Sequence, residues 1–369
     1  MKIFMHSLIV CLLLVSSASG KEPARQMIDA LGRVVDVPEK VERVICSGSG
    51  CLRLLTYLQA QSMVVAVDDI ESLDRNFEAR PYALANPQFK TMPIFGGFRG
   101  HDNPELILAL EPQPQVIFKT YASSMGFPPD DLQNKTGIPV ITLDYGNLGE
   151  KRAQLYQSLR VMADVLGKQE RAGKVIAFME GQIAELKKRT ANIPEKDRPT
   201  VFIGGVAFKG PHGYQSTEPT YPPFTFVNAN NLAGSMGGTG RDLQHSTISK
   251  EKILEWDPQI LFLDLSTLQM GDNASGLYEL RNDPAYRNLT AVKNGHVYGL
   301  LPYNWYTKNY GSILANAYYA GKLLYPERFA DVQPEEKADE IYRFLVGKDV
   351  FAKMDTIFHQ LAYKPVPVK

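Results

Sequence analysis

The strongest constraint on what this 369-residue chain can fold into is a layout that occurs twice. Asn103-Pro-Glu-Leu-Ile-Leu-Ala-Leu-Glu-Pro-Gln-Pro-Gln-Val-Ile-Phe118 and Ser249-Lys-Glu-Lys-Ile-Leu-Glu-Trp-Asp-Pro-Gln-Ile-Leu-Phe262 both run acid, helix, acid-proline, strand. The proline stops each helix, because the residue before it is pushed out of the helical region, and an apolar run follows. Duplicated α/β architecture is the simple explanation.

The rest of the chain fits that frame. Residues 28–35 read as a hairpin, Val41–Cys46 as a strand, Ser47–Gly50 as a tight loop and Leu52–Gln59 as the start of a helix. Val64–Val67, Val116–Phe118 and Pro139–Leu143 are further strands, with Glu105–Leu110 helical between them. Strand-helix-strand alternation with short loops predicts a mainly parallel sheet covered by helices on both faces. From Gly149 to Ile193 the spacing of Leu155, Leu159, Met162, Leu166, Ile176, Met179, Ile183 and Leu186 is helical, and Pro194 and Pro199 end the run. Its place midway between two α/β halves suggests a rigid connector, with two core helices as the alternative. The pattern then restarts with strands at Thr200–Gly204, Gln259–Asp264 and His296–Leu300 and a helix at Lys250–Trp256. Ser312–Leu324, Pro334–Leu345 and Asp349–Leu361 read as helices that close the chain. The expected domains are a leader at 1–20, an N-terminal lobe at 21–148, a connecting helix at 149–193 and a C-terminal lobe at 194–369.

The first residues lead to the expectation of a protein outside the cytoplasm. Lys2, the apolar run Leu8–Val15 and the small residues Ala18-Ser19-Gly20 have the layout of a cleavable secretory signal, with Lys21 the first mature residue. The run is too short to span a bilayer. About 349 residues then remain, which fits two α/β domains better than one core. Lys plus Arg and Asp plus Glu stand at 40 each, so no net field draws nucleic acid or an acidic membrane. In an oxidising compartment Cys46 and Cys51 suggest a small disulfide loop around Ser47–Gly50; two free thiols and metal ligation are the alternatives.

Enzyme signatures are missing. No paired-His metallohydrolase spacing, phosphate loop, dinucleotide fingerprint or Gly-x-Ser-x-Gly elbow occurs. No cofactor is called for. Candidate binding residues instead gather in expected loops after strands, where α/β lobes place their sites. They are Arg80, Tyr82, Arg99, Tyr121, Tyr214, Tyr221, Tyr303 and Trp305, and Arg53 joins them from the first turn of the helix that opens at Leu52. Arginine pairs bidentately with carboxylate or oxyanion and aromatic rings stack on planar groups, so the set suits a flat or caged anionic ligand. Arg53 facing such a ligand competes with Arg53 paired to an acid such as Asp68.

Val41–Leu55, Asn103–Phe118, Ser249–Phe262 and Ala291–Leu300, with the long helical stretch between them, resemble the periplasmic binding proteins of iron-siderophore, haem and cobalamin ABC importers. The resemblance covers nearly all of the chain after the leader. It implies two α/β lobes joined by a single long helix, with a ligand cleft between them. It also implies a monomer that meets a membrane permease dimer and its cytoplasmic ATPase, docking through one acid on each lobe, here Glu105 and Glu251. The loop Cys46-Ser-Gly-Ser-Gly-Cys-Leu-Arg53 departs from the Ser-Pro-Ser/Ala turn of many members. The expectation is therefore a solute-binding protein that captures a metal chelate, foremost of the iron-siderophore type. Haem, cobalamin and a metal oxyanion are alternative ligands. A secreted enzyme or metallochaperone on the same scaffold is the rival class, and a surface adhesion or signalling module is a third.

Overall fold

A computed structural model describes residues 23–121, 126–237 and 245–368. The expected leader lies outside the described residues.

The N-terminal half opens with an antiparallel hairpin, β1 (Ala24–Ile28) and β2 (Val34–Pro38). Residues 28–35, expected to be the hairpin, hold mostly its turn. Asp29 accepts hydrogen bonds from the Leu31 and Arg33 amides, and Gly32 takes a left-handed φ of 76°. A sheet in the order β6-β5-β4-β3-β7-β8 follows. Its strands are β3 (Val44–Ser47), β4 (Val64–Asp68), β5 (Ile94–Gly97), β6 (His101–Asp102), β7 (Val116–Thr120) and β8 (Val140–Leu143). All neighbours are parallel except β6 on β5. Strands β3, β7 and β8 are buried on both faces, which is why they read as unbroken apolar runs. The helices here are α1 (Cys51–Tyr57), α2 (Pro81–Ala85), α3 (Pro104–Leu108) and α4 (Pro129–Thr136).

The stretch expected as one connecting helix is two, α5 (Arg152–Leu166) and α6 (Gln169–Thr190). Gly167 takes φ 67°, a left-handed cap that ends α5, and the Lys168 amide closes it on Ala163. The 22 residues of α6 span about 33 Å. Near its start Arg171 donates to the Tyr57 carbonyl of the first lobe. Near its end Gln182 and Glu185 both meet the Tyr318 hydroxyl of the second at 2.7 Å, one hydrogen shared between them.

The second lobe carries β9 (Thr200–Gly204), β10 (Ser216–Thr217), β11 (Asn230–Asn231), β12 (Ser246–Thr247), β13 (Ile260–Asp264) and β14 (Val297–Leu300). Its parallel sheet runs β11-β9-β13-β14, and β10 pairs with β12 apart from it. Around the sheet lie α7 (Pro222–Phe226), α8 (Lys250–Trp256), α9 (Gly276–Asn282), α10 (Thr290–Asn294) and α11 (Tyr310–Leu324). Two closing helices follow, α12 (Pro334–Val346) and α13 (Phe351–Ile357). The last segment, expected to be helical to Leu361, leaves the helix and runs beside β14, with the Val366 amide donating to Val297 at 2.8 Å. It covers a strand edge that would otherwise be open.

The lobes share their interior. One apolar cluster includes Leu55, Tyr82 and Phe118 of the first lobe with Phe202, Leu261 and Tyr342 of the second. Helix α12 packs on α11 and also on α1 and α2, so the chain's end returns to the first lobe. A smaller cluster of Ile45, Phe95, Ile107, Ile117 and Val140 fills the other face of the first sheet. No helix among the described residues is long and apolar enough to cross a membrane.

Candidate ligand cleft

A cleft of about 430 Å³ lies between the lobes. Its first wall is Ser49 after β3, Ile70 and Arg75 after β4, and Phe98 and Arg99 after β5. The facing wall is residues 207–211 after β9, Glu218 after β10, Gln269 after β13, and residues 304–308 after β14. Apart from Glu218, every lining segment follows the carboxyl end of a parallel strand, where open α/β sheets leave room for ligands.

The floor is made by two crossings between lobes. Arg53, buried at 1% exposure, donates Nη1 to the Lys308 carbonyl at 2.8 Å and Nη2 to the Tyr306 carbonyl at 2.9 Å. Its Nε bonds Asn309 Oδ1 at 2.9 Å, and Nη2 also reaches the Trp305 carbonyl at 3.3 Å. In return the Tyr306 hydroxyl reaches the first lobe, donating to Asp68 Oδ2 at 2.5 Å and accepting from the Arg99 amide at 3.1 Å. Tyr306 and Thr307 take φ of 48° and 61°, a conformation that costs side-chain-bearing residues about 1–3 kcal/mol each. Arg53 holds that kink. Gly50, at φ 81°, lets the crossing close: a Cβ there would lie 2.5 Å from Thr307 Cγ2 and 2.9 Å from Arg53 Nη1. The departure in the Cys46–Arg53 loop therefore has a physical purpose.

Behind Arg99 sits a buried ion pair. Lys119, with no exposed side chain, donates to Asp102 at 2.5 Å, to Ser47 Oγ at 3.1 Å and to the Gly100 carbonyl at 3.1 Å. It fixes the left-handed turn at Arg99 (φ 61°) and Gly100 (φ 77°) that presents the Arg99 side chain. The Arg99 guanidinium lies over the Phe98 ring, 5.0 Å from its centre.

Among the described residues, four cations line the cleft, Arg75, Arg99, Lys209 and Lys308, with Glu218 the one carboxylate. Lys308 Nζ is 3.8 Å from Glu218, which also accepts from the Tyr303 hydroxyl. Below the surface, burial pushes the Asp68 carboxyl up to about 8, helped by nearby Glu71 and opposed by the Tyr306 hydrogen bond. Burial likewise raises Glu71, against the pull of Arg80.

The expected site residues divide sharply. Arg99 and Trp305 line the cleft. Arg53 lies beneath it with its donors spent on protein carbonyls and Asn309, so it neither faces the cleft nor pairs with Asp68. Arg80 is corrected to a structural role, locked at 2.9 Å to Glu71 and 2.6 Å to Glu78. Tyr82 donates to the same Glu71 at 2.7 Å and is buried. Tyr121 is half-buried at the end of β7, outside the lining. Tyr214 is core, edge-on to Phe202 and Tyr286. Tyr221 and Tyr303 are buried side by side, 5.5 Å apart at their ring centres. Cys46 and Cys51 are buried free thiols in contact with each other, not the expected disulfide, and burial raises the Cys46 thiol further. Glu105 and Glu251 are exposed, each the second residue of its helix, after the N-caps Asn103 and Ser249. Phe98 and Tyr306 adjoin the expected Arg99 and Trp305, and Glu218 lies between the expected Tyr214 and Tyr221, but Arg75, Phe208, Lys209 and Lys308 carried no signal beyond following a strand.

Two mainly parallel sheets that present their carboxyl ends to one shared cleft define a two-lobed solute-binding protein. The chain belongs to the periplasmic binding protein family, which it matches over residues 82–303. It is 24% identical to the molybdate-binding protein MolA of Haemophilus influenzae, over 98% of each chain. It is 24% identical to an iron-uptake system-binding protein of Bacillus subtilis, over 77% of this chain and 82% of the relative. Molybdate-bound MolA superimposes with a TM-score of 0.65 at 21% identity, covering 88% of this chain and 98% of MolA. The family is one of extracytoplasmic solute-binding components of ABC importers, and its relatives here are binding proteins, not enzymes.

Proposed function

We propose that this protein captures an anionic metal chelate, of the iron-siderophore type, in the cleft and delivers it to an ABC permease dimer driven by a cytoplasmic ATPase. The observation that carries the reading is the cleft's charge and shape together. Arg75, Arg99, Lys209 and Lys308 oppose one lining carboxylate, while Phe98, Phe208, Trp305 and Tyr306 supply ring faces and edges. Cations select the anion, and aromatic walls favour a ligand with planar organic groups over a bare ion. A volume of about 430 Å³ is in the range of pockets for ligands of chelate size. A second reading, a metal oxyanion, is supported by the match to MolA along its full length. We further read the chain as exported with cleavage before Lys21, working as a monomer, and docking through Glu105 and Glu251.

Trp305 in the cleft wall gives a direct readout. Ferric catecholate, ferric hydroxamate and molybdate are titrated against the chain from Lys21 onward, following tryptophan fluorescence and heat. A ferric chelate should bind with Kd below about 1 μM, near −8 kcal/mol. Saturable binding of molybdate alone would transfer the assignment to the oxyanion reading, and binding of neither would sink both.

A further inference from the structure

Next to the cleft's second wall stands an imidazole pair that the charge argument does not use. The rings of His212 and His245 lie 5.4 Å apart, centre to centre. Phe208, which lines the cleft, stacks on His245 at 4.4 Å and 13°.

Their hydrogen bonds fix both tautomers. His212 Nε2 is 2.8 Å from the Phe208 carbonyl, which only accepts, so Nε2 carries the proton. Ser216 Oγ gives its single hydrogen to the Val206 carbonyl at 2.7 Å, so it accepts from His245 Nε2 at 3.1 Å. Each neutral ring is thus left with a bare lone pair on Nδ1. Metal-binding histidines are held in this way, one nitrogen donating to the protein and the other free for the ion. The spacing agrees as well: two imidazoles sharing an ion at ~2.0–2.1 Å put their ring centres about 5 Å apart. No group of three or more His, Cys, Asp or Glu able to hold a metal occurs among the described residues. A pair of ligands suits an ion that arrives with partners of its own.

We propose that His212 and His245, through their Nδ1 atoms, form a two-nitrogen site for a transition-metal ion, with the remaining coordination positions left to chelate oxygens or water. Imidazole suits Zn, Cu, Ni and Fe and has little use for Mg or Ca, which sets the class. The proposal deepens the metal-chelate reading, yet its test needs only the metal.

Untagged protein is titrated with Ni²⁺, and separately with Cu²⁺, in a non-coordinating buffer at neutral pH. One equivalent should bind to the wild type. His212→Gln and His245→Gln should each weaken binding about tenfold or more, and the double variant should abolish it. His101→Gln and His296→Gln, remote controls, should leave the isotherm unchanged, and melting curves should show every variant folded. Absence of binding to the wild type overturns the site, as do single variants that bind like the wild type. Equal weakening in the remote controls also overturns it. Metal binding without any ferric-chelate binding would leave this site standing and remove the chelate reading; the reverse pattern would remove this site alone.

Discussion

The Tyr306 hydroxyl donates to Asp68 Oδ2 at 2.5 Å, so a side chain of the second lobe is anchored on a buried carboxyl of the first. Arg53 makes the opposite crossing, to carbonyls on either side of Tyr306 in sequence. The two residues lock the same five-residue loop from both lobes, and that loop supplies Asn304, Trp305, Tyr306, Thr307 and Lys308 to the cleft.

The Asp68 environment gives a pH signature. Its carboxyl rises from an ordinary 3.8 to about 8, chiefly by burial, so the folded chain keeps a proton that the unfolded chain has released. The resulting stability is fully present below the unfolded value and is lost as pH climbs through the folded one. Asp68→Asn, which keeps an acceptor for Tyr306, removes this titration. Calorimetric melting of both proteins between pH 4 and 8 should show the variant gaining on the wild type as pH rises. A constant difference across that range would count against the raised carboxyl.

Arg53→Leu should lower the unfolding free energy by about 3–4 kcal/mol, because it orphans several buried acceptors at once. Arg53→Lys should recover only part, since an ammonium cannot match the planar fork of donors. Urea midpoints decide it. A loss under about 1 kcal/mol for the leucine variant would show that the loop holds itself.

Cys46 and Cys51 should resist thiol reagents in the native protein and both react once it is unfolded without reductant. Intact mass after alkylation reads the outcome. A chain that gains no label when denatured contains a disulfide, contrary to the free thiols described here.

Among the cleft cations, Arg99→Ala should weaken a ferric-chelate complex by about 1.5–3 kcal/mol, the range for hydrogen bonds to a charged group. Affinity should also fall with added salt, less steeply in the variant. Arg80→Ala, which breaks contacts to Glu71 and Glu78, should instead destabilise the fold. Calorimetry beside melting separates the two effects, and unchanged affinity in Arg99→Ala would remove the anion clamp.

Glu105 and Glu251 occupy matching places in the repeated halves, exposed at the openings of α3 and α8. The double alanine variant should keep its melting temperature and ligand affinity yet lose uptake in a host that depends on this protein. Normal uptake would reduce both acids to helix-terminal charges.

The architecture was legible where periodicity carries it. The strands at Thr200–Gly204 and Val116 and the helix Lys250–Trp256 follow from apolar runs and proline stops. The break at Gly167 was harder to see, because a lone glycine inside helical spacing can be tolerated or can cap. The cleft was legible only in part. Arg53, Arg80 and Arg99 look alike in sequence, and what separates them is which partners the fold brings near. Arg80 meets Glu71 and Glu78, Arg53 meets carbonyls some 250 positions away, and Arg99 meets the Phe98 ring and the cleft. Tyrosines misled for a similar reason: Tyr214 and Tyr303 follow strands as ligand-binding residues do, yet their rings turn inward. Even the Cys46–Cys51 proximity was readable, while the redox state that goes with it was not.

The apolar cluster running from Leu55 to Tyr342 beneath the cleft means the lobes are not two bodies on a hinge. Swinging them apart would return shared core to water at roughly 25 cal/mol per Å², a cost that grows with every ångström of opening. A receptor built this way waits in its capture-ready shape. To the extent that the shared core holds this shape, little affinity is lost to a scarce competent conformer. Unloading then cannot rely on the lobes relaxing by themselves. Whatever empties the cleft has to pull on its wall, and the kinked loop at 304–308, strained at Tyr306 and Thr307 and held by Arg53 and by the Tyr306–Asp68 bond, is the part of the wall with energy already stored in it.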